Sequence, residues 1–182
     1  ADPGQAEGKT IFDTQVAFAT IAPIVNFGVG RTQIEKSDLR HGFTTGRLMS
    51  GENLMFVTRD SGSGTRNGWC NTLCFDPSWG VGENIGVLSV LAKESQLGTD
   101  FIPSNKAGNA EVEATVINHR LGLGYAGAER GVNTGWLLGG AAEIHPVRND
   151  LEGGSLYTRP HIDAVLDNDV NGYRLGGPAV FA

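Results

Sequence analysis

A loop of eight residues carries the residue types that suit the binding of a tetrahedral oxyanion. Residues 59–66 read Arg-Asp-Ser-Gly-Ser-Gly-Thr-Arg and follow the apolar run Leu54–Val57, which predicts a short buried strand, a loop and then a helix. Glycines let the backbone approach a ligand closely, and the N–H groups and positive dipole at a helix N-terminus favour negative charge. Arg59 adds a planar cation that can hold two oxygens at once. The spacing therefore predicts an anion-binding loop.

Other interpretations of this loop are weaker or fail on spacing. A plain surface turn rich in serine and glycine stays open as an alternative. The sequence has no Gly-x-x-x-x-Gly-Lys-Ser/Thr phosphate loop, and Ser63 has glycine directly on both sides instead of the spacing of a nucleophile elbow. The third glycine of a dinucleotide-binding fingerprint is missing.

The composition is that of a single globular domain and argues against two function classes. The chain has 182 residues, 40% of them hydrophobic, which is enough to bury a core. Its formal net charge of −6 argues against nonspecific nucleic-acid binding, because that binding needs a basic face. No apolar run approaches the roughly 20 residues that span a bilayer, so no membrane insertion is predicted.

Predicted strands alternate with predicted helices, which favours an α/β fold with a mostly parallel sheet flanked by helices. In such sheets ligands bind beyond the carboxyl ends of the strands, where residues 59–66 are expected to lie. Pro23 is expected to break the strand region Val16–Phe27. Helices are also expected over 83–97 and after Pro160.

Capping residues predict where several helices begin. Ser37 is the predicted N-cap of a helix that runs to Phe43, and Ser63 or Thr65 that of the helix after the anion loop. Asn109 is predicted to cap a further helix. The apolar stripe of that helix is expected to consist of Ala110, Ala114, Ile117 and Leu121.

Three segments together resemble the phosphate-binding proteins, the solute receptors of bacterial phosphate ABC importers. Residues 59–66 look like the family's Arg-x-x-x-Ser-Gly-Thr anion loop. Residues 108–116, followed by 121–125, are similar to its Gly-Asn-x-x-Val-x-x-x-Val helix and its Ile-Gly-Tyr strand. A weaker match precedes the loop in residues 22–26, 38–39 and 43–48.

This resemblance implies a single lobe of a type II periplasmic-binding-protein-like fold. Residues 10–182 would form the lobe, and residues 1–9 a disordered or cloning-derived tail. Family members have two α/β lobes that close on the ligand, and the first lobe has no counterpart in this sequence. The ligand-binding residues that carry over are Arg59, Ser61, Ser63, Gly64 and Thr65. Arg66 is expected to face solvent in the first helical turn.

The function that the resemblance implies is the binding of phosphate or a related oxyanion, as the lobe of a solute receptor for ABC-type import. The expected location is periplasmic or extracellular, and a full receptor would engage an ABC permease. No enzymatic activity, cofactor, metal or nucleic-acid partner is expected. The alternative is an extracellular structural or interaction module that keeps the lobe fold without transport. Which oxyanion is bound stays open.

The cysteines and histidines have structural interpretations. Cys70 and Cys74 would share one helical face, either as two small buried residues or as a local disulfide, and both readings stay open. The histidines are dispersed without metal-ligand spacing, which favours surface or packing roles. They are His41, His119, His145 and His161.

Overall fold

One long strand organises the main sheet. Strand β1 (Thr14–Asn26) pairs antiparallel with three other strands in the computed structural model, which describes residues 14–60, 62–76, 105–167 and 169–181. Its first half pairs with the last strand of the chain, and its second half lies between two inner strands. The remainder of the sheet is assembled on this strand.

The other elements are short. The strands are β2 (Ile34–Glu35), β3 (Met55–Phe56), β4 (Thr58–Arg59), β5 (Asn105–Lys106), β6 (Gly122–Gly127), β7 (Leu137–Leu138), β8 (Ala142–Ile144), β9 (Val147–Arg148), β10 (Tyr157–Thr158) and β11 (Gly176–Phe181). The helices are α1 (Lys36–Thr45), α2 (Gly64–Thr72), α3 (Asn109–Asn118), α4 (Glu129–Val132) and α5 (Ile162–Leu166), with 3-10 turns at Phe27–Val29 and Asp150–Glu152.

The expected α/β fold, with helices flanking a sheet, is confirmed, and its strand directions are mixed instead of mostly parallel. The main sheet has the order β3-β6-β1-β8-β7, with β11 also on β1. Parallel pairing is confined, in the described residues, to the two-residue pairs β3–β6, β4–β5 and β2–β9. Strands β7 and β8 are joined by a short turn, and such a connection can only make an antiparallel pair.

The predicted break at Pro23 is wrong, because the strand passes through this residue. Pro23 is paired with Tyr125 of β6, and its carbonyl accepts a hydrogen bond from the His145 N–H at 3.2 Å. The N–H and C=O of one strand residue point to the same side, so the missing N–H of Pro23 faces His145, just beyond the end of β8. The ladder to β6 therefore loses no hydrogen bond.

Helix α1 begins at Lys36, and the predicted N-cap role of Ser37 is wrong. Ser37 lies inside the first turn, and its N–H donates to a carboxylate oxygen of Asp150 at 3.1 Å. The free N–H is thus satisfied by a residue distant in sequence. Gly46 ends the helix at a φ of 80°, a left-handed conformation that favours glycine.

The predicted apolar stripe of α3 is also wrong. The buried side chains are Val112 and Val116, whereas Ala110 is exposed. The valines pack on β6 at Gly124, where an added Cβ would lie 2.8 Å from Cγ1 of Val112. The close approach to a glycine strand selects this helix face.

Parts of the predicted organisation lie outside the described residues. These are the N-terminal tail over 1–9 and the helix over 83–97. Among the helices that are described, none combines the length and the apolar character that crossing a bilayer requires.

His145 is a fully buried titratable group next to the main sheet. Oε1 of Glu143 lies 3.3 Å from its Nε2, but neither ring nitrogen makes a hydrogen bond of good geometry. Burial lowers the pKa of His145 to about 4, and the positive charges of Arg159 and Arg31 act in the same direction. The imidazole is therefore neutral in the folded protein at neutral pH.

This buried imidazole predicts a loss of stability in acid. The unfolded histidine takes up a proton near its ordinary pKa of 6.5, whereas the folded one does so only near 4. Stability is thus lost as pH falls from about 6.5 to 4, by up to about 3 kcal/mol for this residue. Denaturant unfolding gives the free energy of unfolding of the parent and of His145→Gln at each pH in this range. This free energy should depend less steeply on pH in the variant. The exposed His41→Gln is the matched control, and a parental slope in His145→Gln would contradict the assignment.

Candidate functional site

The predicted anion loop connects the end of β4 to the start of α2. Strand β4 pairs in parallel with β5, so the segments that follow both strands leave from the same edge. Those segments are the loop itself and residues 107–108, which lead into α3. The N-termini of α2 and α3 therefore lie on the same side, as expected for a ligand site in an α/β fold.

Ser63 is the N-cap of α2, which confirms one of the two predicted caps. Its Oγ accepts from the Arg66 N–H at 3.2 Å, and its own N–H donates to the Asp60 carbonyl at 3.1 Å. The residue is 6% exposed. Its hydroxyl proton is not used by the cap, because the oxygen acts there as the acceptor.

Gly64 and Thr65 supply the first two N–H groups of α2. Helix geometry leaves these groups without intrahelical acceptors, and the described residues provide none. Gly64 is exposed and Thr65 is half-buried. Two N–H groups are thus directed to whatever occupies the space before the helix.

An open cleft of about 780 Å³ borders the start of α2; Gly64 and Thr65 line it, whereas Arg59 and Ser63 are not among its lining residues. One wall is the exposed face of α2, including Gly64 and Thr65, and another is β1 around Thr20. Asn109 and Glu129 contribute from the starts of α3 and α4. The cleft therefore combines free N–H groups, hydroxyls and amides with one carboxylate.

Arg59 is fixed by the segment that leads into α3. Its Nε donates to the Lys106 carbonyl at 2.9 Å, its Nη2 to the Ala107 carbonyl at 2.9 Å, and its Nη1 to Oδ1 of Asn109 at 2.7 Å. All three acceptors are neutral. In the described part of the chain one carboxylate contacts the guanidinium, that of Asp60 at 3.5 Å, and its side chain is 46% exposed. The contacting Oδ1 is itself buried, so Asp60 offsets part of the charge near Nε, while both Nη atoms have neutral acceptors among the described residues.

Tyr125 holds the backbone from which Arg59 projects. Its buried hydroxyl accepts from the Arg59 N–H at 3.2 Å and lies 2.6 Å from Oγ1 of Thr58. Burial raises the pKa of Tyr125 to about 12, so the hydroxyl stays protonated. The ring stacks on Trp69 of α2 with centroids 4.7 Å apart, and the Phe43 ring packs edge-on against both. One side chain thus links β6, β4 and α2.

The remaining predicted residues of the loop differ in outcome. Ser61 lies outside the described residues. The expectation that Arg66 faces solvent is wrong, since this residue is 6% exposed. Its charge lowers the pKa of Cys70 and Tyr125, although burial, which raises both, is the larger cause. Arg66 is therefore a buried residue in the first turn of α2.

The cysteines are both free thiols, Cys70 buried and Cys74 exposed. Burial raises the pKa of Cys70 to about 11, which keeps it a neutral packing residue. Across the residues the structure describes, no group of three or more His, Cys, Asp or Glu side chains is placed to hold a metal ion.

Sequence reasoning missed three residues of the site. Asn109 was expected as a helix cap, but the cap position is Gly108, and the Asn109 side chain contacts Arg59. Tyr125 and Asn109 both belong to segments of the family resemblance, which was the available signal. Glu129 had no signal in the sequence, because only the fold brings α4 to the cleft.

The fold is similar to part of the fold of several solved phosphate-transport proteins. The chain is similar to a phosphate ABC transporter substrate-binding protein with bound phosphate from Clostridium perfringens, with 15% identity and a TM-score of 0.56. It is also similar to PstS from Borrelia burgdorferi, with 15% identity and a TM-score of 0.58, and to an ABC-type phosphate transport receptor from Vibrio cholerae, with 15% identity and a TM-score of 0.58.

These matches cover 94%, 93% and 96% of this chain but 58%, 58% and 62% of the three receptors, respectively. The chain therefore spans less than two thirds of their length, consistent with a single lobe. Neither protein-family models nor curated protein sequences match it. At this level of identity the similarity establishes the fold.

The N-cap at Ser63 gives a prediction for stability. Ser63→Ala removes the acceptor of the Arg66 N–H and should lower the free energy of unfolding by about 1 kcal/mol. Ser37→Ala is the matched control: its hydroxyl makes no hydrogen bond with the described residues, and alanine favours a helix, so no loss is expected. Denaturant unfolding followed by circular dichroism measures both. Equal losses in the two variants would show that Ser63 is not the cap.

Proposed function

We propose that this chain binds phosphate or a related oxyanion at the N-terminus of α2, as the lobe of a solute receptor for ABC-type import. The observation that carries the proposal is the pair of N–H groups at Gly64 and Thr65, the first two of α2, which have no acceptor among the described residues; both residues line the open cleft. Helix N-termini with free N–H groups favour anions because partial charges and hydrogen-bond donors act together.

The roles of the individual residues follow from their positions. Gly64 and Thr65 donate N–H groups, and the Thr65 hydroxyl, together with the hydroxyl proton of Ser63, adds two further donors. Arg59 supplies positive charge, since three of its five N–H groups have neutral acceptors and two remain for ligand oxygens. Ser61 is proposed as a further donor on the strength of the sequence motif.

The wider role is proposed from the solved structures that have a similar fold. Two of the similar structures carry names that describe phosphate transport. We therefore infer a binding function in place of an enzymatic one, a periplasmic or extracellular location, and an ABC permease as partner of the full receptor. The whole mechanism requires a second lobe that closes over the ion and excludes water.

This chain by itself offers about half of a closed ligand shell. Hydrogen bonds that face open water contribute less than bonds in a closed site, so millimolar affinity is expected.

Calorimetric titration of the purified chain with phosphate at low ionic strength tests the proposal. Phosphate should bind weakly, and Arg59→Gln should weaken binding by about tenfold or more, because a charged hydrogen-bond donor is lost. The exposed Arg40→Gln, which makes the same change of net charge, should bind as the parent does. Parallel titration with sulfate reports selectivity among oxyanions.

Two results would contradict the proposal. The first is the absence of any phosphate or sulfate binding up to tens of millimolar, which would favour the interaction-module alternative. The second is an equal loss in Arg59→Gln and Arg40→Gln, which would assign binding to net charge and not to this loop.

A further inference from the structure

Asn109 is the one side chain in the described residues that both lines the cleft and contacts Arg59. It is the first residue of α3, and its Oδ1 accepts from Nη1 of Arg59 at 2.7 Å. It has no capping role, since the N-cap position is Gly108. In the first turn it is Glu111 that bonds to the backbone before the helix: its carboxylate accepts from the Ala107 N–H at 2.8 Å.

The neutrality of the Asn109 amide has an electrostatic consequence. An aspartate in the same place would accept the same hydrogen bond and would form a stronger, charge-assisted pair with the guanidinium. It would also face the dipole of α3 at its favourable end. A carboxylate would thus suit local stability better than an amide does, yet it would cancel the charge that a bound anion requires.

We propose that Asn109 is a positioning residue of the oxyanion site: its amide oxygen fixes the Arg59 guanidinium without neutralising it, so that the charge stays available to the ligand. This inference rests on the proposed function. It goes further because Asn109 is assigned a specific role: it sets the orientation of the Arg59 guanidinium and leaves its charge unchanged.

The kinds of acceptor around the Arg59 guanidinium, two backbone carbonyls and one side chain, support this role. The carbonyls of Lys106 and Ala107 fix Nε and Nη2 through the backbone, which no substitution of their side chains alters. Asn109 is the one acceptor of the three that is a side chain, and it therefore determines whether the third partner is neutral or charged. The half-buried Asp60 places a buried Oδ1 3.5 Å from Nε and offsets charge at that atom, whereas both Nη atoms have neutral acceptors among the described residues.

Two substitutions separate positioning from mere packing. Asn109→Asp should raise the unfolding temperature or leave it unchanged, while it weakens phosphate binding by about tenfold or more. Asn109→Ala should lower the unfolding temperature and weaken binding less, because the guanidinium loses a partner but keeps its charge. A purely structural contact would make stability and affinity fall together, whereas Asn109→Asp should weaken binding without any loss of stability.

The experiment measures phosphate affinity by calorimetry and the unfolding temperature by circular dichroism, on the full chain and its variants. Asn118→Asp is the matched control, since it places the same charge at the other, exposed end of the same helix. It should bind phosphate as the parent does. Repeating the titrations at raised salt should leave the ratio between parent and Asn109→Asp largely intact, because a direct ion pair is screened less than distant charges are.

The outcomes distinguish this inference from the proposed function. A parent that binds phosphate together with an Asn109→Asp variant that binds equally well overturns the positioning role and leaves the anion site in place. An equal loss in Asn109→Asp and Asn118→Asp overturns it too, because net charge would then explain the effect. A parent that binds no phosphate overturns both the proposed function and the role that rests on it.

Discussion

The buried hydroxyl of Tyr125 joins the parts of the molecule that the site depends on. Tyr125 lies in β6, which is paired with β1 on one side and β3 on the other. Its ring stacks on Trp69 of α2, and its hydroxyl accepts the N–H of Arg59. Burying a hydroxyl without hydrogen-bond partners costs free energy. The bonds to Thr58 and Arg59 therefore fix the end of β4, where the loop begins, relative to β6. The start of α2 and the side chain of Arg59 are thereby set relative to one another.

The site assembles positive potential within a chain of net charge −6. Two arginines flank the loop, one fixed by neutral acceptors and the other buried. The free N–H groups at the start of α2 add the partial charge of the helix. Because such charges and dipoles act locally, the proposed anion binding is compatible with a negative charge on the remaining surface.

The long strand β1 explains why a cleft lies next to this site. Its residues near Thr20 form one wall, while α2 and the start of α4 form the others. Phe18 and Val132 leave apolar surface at the same edge, 42% and 55% exposed. An open cleft with donors on one wall and exposed apolar residues nearby is the surface expected where two lobes meet, which agrees with the proposed second lobe.

The sequence by itself determined the features that adjacent residues control. A serine before Gly64 and Thr65 makes the N-cap of α2, and Gly46 ends α1, because caps and left-handed turns depend on a few neighbouring residues. The alternation of strands and helices likewise identified the α/β class. The segments that resemble phosphate-binding proteins contain the loop and Tyr125, but the contact between the two was not predicted.

Tertiary structure decided what depends on residues distant in the chain. Pro23 is tolerated inside β1 because its missing N–H faces a place where no strand bond is required. Val112 and Val116 form the buried face of α3 because the glycines of β6 admit them. Arg59 turns to residues 106–109, nearly fifty positions further along the chain, because β4 and β5 pair there. Such contacts are set by the packing of whole elements, and local sequence patterns do not encode them.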